Sequence, residues 1–448
     1  MTRIRRLLRS GRGEERLQIR RPRRNMENEV GMNNRRVVVT GYGVVSCVGN
    51  NVPDFWDSLV NGRCGLGRIT RFDASEYRTQ IAGEVKDFDV TKYMTAKEAK
   101  RLDLFCQYAI AASDEAMDCA GLPKELRGSN IDPNRVGVIV SSGIGGLHTM
   151  SEQDKLLIER GPGKISPLLI PMMIGDLASG NISIRYGAGG PNLGLVTACS
   201  TGCHSIGESF WCIKRDDADV MICGGAEASV VALGVAGFCA MKAMSQRNDD
   251  PLHASRPFDL NRDGFVMSEG AGVMILEELE HAKKRGANIL AEVVGYGATG
   301  DAYHITSPAP DGNGGARAIR MAMRHAGLGT NEIDYINAHG TSTQLNDKFE
   351  TMAIKGALGE DAYKVSVSST KGTTGHGLGA AGGLESIACV KAIETGIIPP
   401  TINYETPDPE CDLDITPNTA RERKVEVALN SNLGFGGHNG VVIFRKFR

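Results

Sequence analysis

One cysteine and two histidines occupy positions where the sequence predicts reactive side chains. Cys199 lies in LVTACSTGCHSIG, where a β-branched run ends and small residues open a predicted helix. The unpaired N–H groups at a helix start favour a thiolate, so we expect the pKa of this thiol to be lowered. A cysteine thiolate is a good nucleophile and a good leaving group. On position alone, Cys199 is either such a nucleophile or a buried thiol.

His339 and His376 share a setting that the other seven histidines lack. His339 lies in NAHGTST and His376 in STKGTTGHGLGAAGG, and each follows a predicted strand and precedes small residues. A lone histidine in such a loop is more often structural, but here there are two, and Lys371 precedes the second. Neutral histidines can donate hydrogen bonds to an oxygen that gains negative charge during a reaction.

Strands and helices alternate along the chain and would position these side chains. The predicted strands are Arg36–Thr40, Arg135–Ser141, Gly194–Ala198, Asp219–Cys223, Gly272–Glu277, Leu290–Gly297, Ile333–Ala338, Lys364–Ser368, Lys424–Leu429 and Gly440–Phe444. The predicted helices include Thr95–Ala120, Ser205–Lys214, Gly314–Ala326 and Gly382–Thr395. This alternation predicts an α/β fold with a mixed, mostly parallel sheet.

The two halves of this pattern resemble each other, which indicates an internal duplication. A strand followed by a glycine-rich loop occurs at Val138–Gly146 and again at Tyr335–Thr343. Cys199 and His376 then follow strands in corresponding places. We therefore predict an N-terminal half over residues 35–285 and a C-terminal half over residues 286–448, with the reactive loops of both meeting beyond the strand ends.

Composition and charge limit the remaining classes of protein. The chain has 448 residues with 41% hydrophobic residues, and it contains no apolar run long enough to span a membrane. Residues 1–36 hold twelve Arg and four Glu, a charge of +8 that leaves −10 for the rest of the net −2. We interpret residues 1–34 as a disordered basic extension or an over-extended start, and we expect neither a nucleic acid nor a membrane partner. The 11 irregularly spaced cysteines are typical of a reducing, cytoplasmic compartment.

Three other kinds of site fit the sequence poorly. Cys199, Cys203 and Cys212 lack a further cysteine or histidine pair, so we expect no metal. Gly41 and Gly43 follow a strand as in a dinucleotide-binding enzyme, but no strand with a terminal acidic residue follows at the required distance. The G-x-S-x-G motif of serine hydrolases is absent from the sequence.

From Arg35 to Phe447 the chain resembles the elongating β-ketoacyl-acyl carrier protein synthases. The motifs that carry this resemblance are RVVVTGYGVVSCVGN, SSGIGGL, TACSTG, GGAEAS, RPFDLNRDGFVMSEGAG, EHAKKRGA, DAYHITSP, NAHGTST, STKGTTGHGLGAAGG, PPTIN and GFGGHN. The resemblance implies a thiolase-like, duplicated αβαβα layered fold, no cofactor, a homodimer, and an acyl carrier protein with acyl or malonyl groups as the partner.

The resemblance also implies catalytic roles. Cys199 would accept the acyl chain from a carrier-protein thioester. His339 and His376 would hold malonyl-carrier protein and stabilise the enolate that decarboxylation releases. The backbone N–H groups of Cys199 and Phe435 would form the oxyanion hole, and Lys371 would act from a supporting ion pair.

Substrate-binding residues follow from the same resemblance. Glu385 would pair with Lys371, and Thr341 and Thr343 would hydrogen-bond the pantetheine arm. The residues implied to gate or line the acyl tunnel are Phe435, Ile144 and Phe238. Those implied to dock the acidic carrier protein are basic: Lys97, Lys100, Arg101, Lys164 and Lys242.

The chain departs from the family pattern near the gate and near Lys371. The loop that usually reads Asn-Ser-Phe-Gly-Phe is Ser431-Asn432-Leu433-Gly434-Phe435, Gly372-Thr373 replaces Ser-Met, and Gly377 replaces Leu. These changes leave the acyl-chain preference open. Two alternatives within the family also remain: a ketosynthase of a polyketide or other specialised acyl pathway, and a non-catalytic chain-length subunit. The retained Cys199, His339 and His376 count against the second.

Overall fold

The computed structural model describes residues 35–448. The basic extension predicted at residues 1–34 lies outside this range. Within it, every helix falls short of the length or the apolar character that crossing a membrane requires.

Thirteen strands and thirteen α-helices form over the described residues. The strands are β1 Val37–Ser46, β2 Gly67–Arg68, β3 Ile81–Ala82, β4 Val136–Ser141, β5 Val220–Glu227, β6 Gly270–Glu278, β7 Ala291–Gly300, β8 Tyr335–Asn337, β9 Ser366–Ser368, β10 Ile397–Ile398, β11 Arg421–Glu422, β12 Val427–Gly434 and β13 His438–Arg445. The helices are α1 Val52–Val60, α2 Ala96–Ala99, α3 Leu104–Ala120, α4 Leu147–Arg160, α5 Leu169–Met173, α6 Leu177–Tyr186, α7 Thr201–Lys214, α8 Ala232–Ala240, α9 Leu279–Lys284, α10 Asn313–Ala326, α11 Gln344–Leu358, α12 Lys371–Thr374 and α13 Ala381–Thr395.

Nine strands form one mixed sheet in the order β4-β5-β6-β1-β7-β13-β12-β8-β9. Only the pairs β4–β5, β12–β8 and β8–β9 are parallel, and the other five pairs are antiparallel. The α/β class and the mixed sheet are confirmed, but the prediction that the pairing is mostly parallel is wrong. One cause is local: β13 follows β12 through a tight turn at Gly436 and Gly437, and strands joined by a hairpin pair antiparallel.

The predicted duplication is visible in the order of this sheet. Outward from its centre, β1, β6, β5 and β4 on one side correspond to β7, β13, β12 and β8 on the other. The pairing directions also match, since the two inner pairs of each side are antiparallel and the outer pair is parallel. The division of the chain between residues 285 and 286 stays a prediction.

The strand predicted at Gly194–Ala198 does not form. Asn192 makes a single bridge to Val138, and the chain then leaves the edge of the sheet. The N–H of Leu195 donates to the hydroxyl of Ser141 at 3.0 Å instead of to a strand carbonyl. The β-branched run therefore ends in an irregular segment.

The helix predicted over Thr95–Ala120 is two helices. Thr95 starts α2 through a reciprocal capping box with Glu98. Asp103 then starts α3, because its carboxylate accepts the N–H of Phe105 and also binds Thr149 at 2.5 Å. The hydrophobic pattern continues through residues 100–103, so the break was not visible in the periodicity.

Helices α7 and α13 meet at the centre of the molecule in a contact that we call the glycine crossing, formed by Gly202, Gly382 and Gly383. An ideal Cβ on Gly202 would lie 2.8 Å from the backbone N of Gly383. One on Gly382 would lie 2.2 Å from the backbone N of Cys203. Since no side chain separates the helices, their N-terminal ends, and the loops that lead into them, lie side by side.

Candidate active site

Cys199 lies in a 3-10 turn, Ala198–Ser200, that leads directly into α7. Ala198 has a φ of 51°, in the left-handed region that non-glycine residues rarely adopt. The hydroxyl of Ser200 lies 3.0 Å from the carbonyl oxygen of Asn432 and 2.7 Å from that of His438, which anchors the turn to β12 and β13. The thiol is thereby held at a helix start, with only 7% of the residue exposed.

The C-terminal half contains a matching turn, Leu378–Ala380, which leads into α13. Leu378 has a φ of 48°, close to the value at Ala198. The counterpart of Cys199 is therefore Gly379, and His376 lies three residues before it. The expectation that Cys199 and His376 occupy corresponding places is therefore wrong by three residues.

The structure brings Cys199, His339 and His376 together. One side-chain ligand atom from each lies within 4.8 Å of the other two. The two imidazole rings are 5.1 Å apart and nearly perpendicular, at 86°. Phe265 packs against the ring of His376 at 5.4 Å, so this ring has apolar support on one side. Residues from both halves of the chain thus form one compact group.

Both histidines are neutral. Burial holds the pKa of His339 well below its usual 6.5, and the positive charge of Lys371 lowers it further. The pKa of His376 is lowered for the same two reasons, in the same order. Neutral rings carry one N–H each and can donate it to a developing oxyanion without first losing a charge.

The thiol of Cys199 is protonated at rest. Burial raises its pKa to about 12, and the negative charge of Glu227 acts in the same direction. Lys371 and the backbone N–H groups of Phe435 and Cys199 oppose this shift without overcoming it. The expectation of a lowered pKa is therefore wrong, because the helix start does not outweigh the desolvation of a buried thiolate. The proton has to leave as the nucleophile attacks.

Lys371 and Glu385 form a buried ion pair next to the histidines, as predicted from the sequence. The carboxylate of Glu385 also accepts a hydrogen bond from Nδ2 of Asn432 at 2.6 Å. The same Nδ2 lies 3.4 Å from Nδ1 of His339. Asn432 is a contact of the site that the sequence analysis did not assign.

Two further buried carboxylates support the loops of the site and were missed. Glu350 accepts the backbone N–H groups of His339 and Gly340, both at 2.7 Å. Glu227 accepts hydrogen bonds at 2.8–3.1 Å from two hydroxyls and two backbone N–H groups: those of Ser142, Ser229, Gly143 and Gly379. Glu227 therefore joins the SSGIGG loop of one half to the turn of the other. The cue was the GGAEAS motif, in which a carboxylate follows a buried strand.

Glu227 predicts a pH dependence of stability. Burial raises its pKa from 4.5 to about 7. The folded state then binds more protons than the unfolded state between these values, so the contribution of Glu227 to the free energy of unfolding falls as the pH rises from 4.5 through 7. We expect Glu227→Gln to lose less stability over this window than the unsubstituted protein, measured by urea unfolding at a series of pH values. The exposed Glu152→Gln is the control, and a wild-type slope in Glu227→Gln would contradict the assignment.

A cavity of about 430 Å³ opens onto the Cys–His–His group. The predicted site residues that line it are Cys199, His339, His376, Phe435, Phe238, Thr341, Thr343 and Lys242. Leu433, Asp263, Asp301 and Asn439 also line it and were not predicted as site residues. The cavity thus runs from the reactive group to the surface at Lys242.

Several predicted residues lie away from this cavity. Lys371 and Glu385 are buried beside the histidines and do not line it. Ile144 is 43% exposed and is also absent from its walls. The predicted docking residues outside the cavity are all exposed: Lys97, Lys100, Arg101 and Lys164.

The loop between β12 and β13 forms one wall of the cavity. Phe435 faces Phe238 at 6.3 Å between ring centres, and Phe238 packs edge-on against Phe265 at 5.4 Å. Gly434 lets this loop approach the nucleophile, since an ideal Cβ there would lie 2.6 Å from the carbonyl oxygen of Thr197. The backbone of Phe435 thus contacts the thiol of Cys199, and both residues line the cavity.

The reactive group also has the spacing of a three-ligand metal site, and no other set of side chains does in residues 35–448. A metal would require the thiolate of Cys199, whose pKa burial raises to about 12. The donor set therefore fits a metal poorly, and the expectation of a metal-free site stays a prediction.

Comparisons with known families and proteins cover most of the chain. The family described as "Beta-ketoacyl synthase, N-terminal domain" matches residues 34–282, and "Beta-ketoacyl synthase, C-terminal domain" matches residues 290–405. A 3-oxoacyl-[acyl-carrier-protein] synthase 2 of Synechocystis sp. is 52% identical over 414 residues, which are 92% of this chain and 99% of that protein. A protein of the same name from Vibrio harveyi is 50% identical over 416 residues, 93% of this chain and 99% of that protein.

Solved structures match over the same length. The ishigamide ketosynthase/chain length factor has a TM-score of 0.86 at 37% identity, over 92% of this chain and 100% of the other. A type II PKS acyl-carrier protein in complex with its ketosynthase (AntDE:AntF) matches with a TM-score of 0.85 at 36% identity, with the same coverage.

Proposed function

Because the chain belongs to the β-ketoacyl synthase family, we propose that Cys199, His339 and His376 catalyse the condensation of malonyl-acyl carrier protein with a cysteine-bound acyl chain. The chain is accordingly an acyltransferase of the 3-oxoacyl-[acyl-carrier-protein] synthase 2 type, as its relatives' names indicate. The observation that carries the proposal is the convergence of one thiol and two neutral imidazoles within 4.8 Å at the end of a cavity.

The first step transfers the acyl chain to Cys199. Its sulfur attacks the thioester carbonyl of acyl-carrier protein, the bond from that carbonyl to the pantetheine sulfur breaks, and the thiol proton ends on the departing sulfur. The backbone N–H groups of Cys199 and Phe435, which already act on the thiol, are suited to bind the carbonyl oxygen as it becomes negative. One such donor is worth about 3–4 kcal/mol where measured.

The second step removes carbon dioxide from malonyl-carrier protein. The bond between the carboxylate carbon and the α-carbon breaks, and its electron pair forms an enolate whose oxygen accepts the N–H groups of His339 and His376. The α-carbon then attacks the thioester on Cys199 and displaces the cysteine sulfur, which takes a proton from solvent because the two histidines keep theirs. Because decarboxylation generates the carbanion, no strong base is required.

An acyl carrier protein is the proposed partner, and the solved complex of a related ketosynthase with its acyl-carrier protein favours this. The hydroxyls of Thr341 and Thr343 lie 2.9 Å apart on the cavity wall, where a pantetheine arm would pass. Lys242 lies at the mouth, and the exposed Lys97, Lys100, Arg101 and Lys164 complete the proposed docking set.

A homodimer is also part of the proposal. Large apolar side chains are exposed on one stretch of the chain: Ile144, Met150, Leu157, Ile158, Ile170, Ile174, Ile184, Leu193 and Val196. A second copy that contacts this stretch would cover Ile144. The side chain of Ile144 could then line an acyl tunnel that both copies shape. We further propose a reducing, cytoplasmic location, since the 11 cysteines are all free thiols in residues 35–448.

The dimer predicts a mass. Light scattering is expected to give twice the 47.9 kDa of one chain at micromolar concentration. Val196→Lys, at a side chain that is 64% exposed in the single chain, is expected to lower this mass, because a charge would be desolvated in the interface. Leu252→Lys, at an exposed apolar residue outside that stretch, is the matched control. A monomeric mass for the unsubstituted protein would refute the dimer.

The function is tested by incubating the protein with malonyl-carrier protein and acyl-carrier proteins of graded length, with mass spectrometry of the products. One added two-carbon unit per turnover, bearing a 3-oxo group, is the expected result. Products with several unreduced two-carbon units would indicate a polyketide ketosynthase, and the absence of any condensation would indicate a non-catalytic subunit. Either of these outcomes would replace the proposal.

A further inference from the structure

We propose that Asn432 is a positioning residue that sets the tautomer of His339, so that the ring hydrogen sits on Nε2 and faces the substrate. The proposal rests on the function proposed above, in which His339 stabilises an enolate. It adds a residue that touches neither the substrate nor the thiol. The side chain of Asn432 acts on the reaction through His339.

The orientation of the Asn432 amide is fixed by its neighbours. The side chain is fully buried, and its Nδ2 lies 2.6 Å from a carboxylate oxygen of Glu385. Its Oδ1 lies 3.3 Å from Nδ2 of Asn430, which can only donate. A flipped amide would set two oxygens against each other at Glu385 and two N–H donors against each other at Asn430. Both contacts therefore select the same orientation.

This orientation places an N–H donor, and not an oxygen, opposite Nδ1 of His339. Nδ2 of Asn432 carries two hydrogens, and one of them is engaged by Glu385. The other faces Nδ1 of His339, 3.4 Å away. A ring nitrogen opposite an N–H donor must accept, and a neutral imidazole with an accepting Nδ1 carries its hydrogen on Nε2.

The ion pair behind Asn432 keeps the arrangement in place. Glu385 accepts from Lys371 as well as from Asn432, and all three side chains are buried. Burial raises the pKa of Glu385, and the hydrogen bonds that its carboxyl accepts from Lys371 and Asn432 oppose that shift. The order of contacts is thus Lys371, Glu385, Asn432 and His339. The charge of Lys371 in this way selects a proton position on an imidazole that it does not contact through a hydrogen bond.

The consequence for the reaction is selective. With the hydrogen on Nε2, His339 donates to the enolate oxygen that decarboxylation creates, whereas the other tautomer would direct a lone pair at it. Acyl transfer to Cys199 relies on backbone N–H groups and does not need this hydrogen. Loss of Asn432 should therefore slow carbon dioxide release far more than it slows loading of Cys199. Partners that orient metal-bound histidines from behind typically cost about 10–100-fold when removed, and we expect an effect of this size for Asn432.

The test starts with the unsubstituted protein. Nitrogen NMR of histidine-labelled enzyme, with the His339 signals identified by their absence in His339→Gln, reports which ring nitrogen carries hydrogen. We expect Nε2. Asn432→Ala is then expected to leave a mixture of tautomers and to slow malonyl decarboxylation about 10–100-fold, while acylation of Cys199 by acyl-carrier protein changes less than about threefold. Asn432→Ser is the smaller change if the alanine variant fails to fold.

Ser431→Ala, at a buried neighbour on the same strand, is the matched control and should leave both rates and the tautomer unchanged. A hydrogen on Nδ1 in the unsubstituted protein overturns the proposal, as does an Asn432→Ala enzyme with the wild-type tautomer and the wild-type decarboxylation rate. An unsubstituted protein that releases no carbon dioxide would instead refute the proposed function, and the NMR result would still decide the tautomer.

Discussion

Replacing Cys199 by alanine is expected to abolish formation of the 3-oxoacyl product, by a factor on the order of 10⁴ or more. Cys199 is the only cysteine on the wall of the active-site cavity, as far as residues 35–448 are concerned. The next thiol along α7, Cys203, is fully buried and cannot replace it. Product formation is measured by mass spectrometry of the acyl chains, and acyl-enzyme formation by the intact mass of the protein.

Cys239→Ala is the matched control for this experiment. Cys239 is half-buried on α8, next to Phe238, and does not line the cavity. We expect this variant to load and extend acyl chains at the wild-type rate. Elongation at a normal rate by Cys199→Ala, or an acyl group found on another cysteine of the unsubstituted enzyme, would contradict the assignment of the nucleophile.

The second large effect is expected for His339→Ala and His376→Ala. Each variant removes one N–H donor from a buried site, and loss of one such donor costs on the order of 10²–10³ in rate. The readout is release of labelled carbon dioxide from malonyl-carrier protein. His253→Ala, at an exposed histidine outside the cavity, is the control.

The pH profile tests whether these histidines act in the neutral form. Burial and Lys371 hold the pKa of both well below 6.5, so the rings stay neutral as the pH falls through that value. We therefore expect the rate of carbon dioxide release by the unsubstituted enzyme to show no step near pH 6.5. A step at that pH that disappears in His339→Ala or His376→Ala would mean that the histidine titrates there. Normal release by both variants would remove the histidines from the mechanism.

The fold class and the reactive residues could be predicted because their signals are local. Cys199, His339 and His376 each occupy a short motif of small residues after a β-branched segment, and that setting is readable without a partner. The alternation of elements likewise indicated the α/β class and the duplication. Whether neighbouring strands pair parallel or antiparallel could not be predicted, because it depends on which strands, distant in sequence, become neighbours in the sheet. The segment before Cys199 has strand-like composition, but beyond Asn192 the hydroxyl of Ser179 takes both backbone groups of Val140 on the edge strand.

The electrostatics of the site and its supporting residues depend on contacts distant in sequence. Glu227 accepts from Gly379, 152 positions away, and Asn432 reaches His339 across 93 positions. Neither partner can be found by spacing. The pKa of Cys199 was predicted in the wrong direction because the helix start is a local feature, whereas the burial of the thiol is a property of the whole fold.

The glycine crossing of α7 and α13 also determines how this enzyme can change over evolution or in the laboratory. Its three residues have no side chain that a substitution could remove, and an ideal Cβ added to any of them would meet backbone at 2.1–2.8 Å. New substrate ranges therefore have to arise at the rim, where Leu433 and Phe238 face the cavity with replaceable side chains. The cavity rim can therefore accept substitutions that the glycine crossing of α7 and α13 cannot.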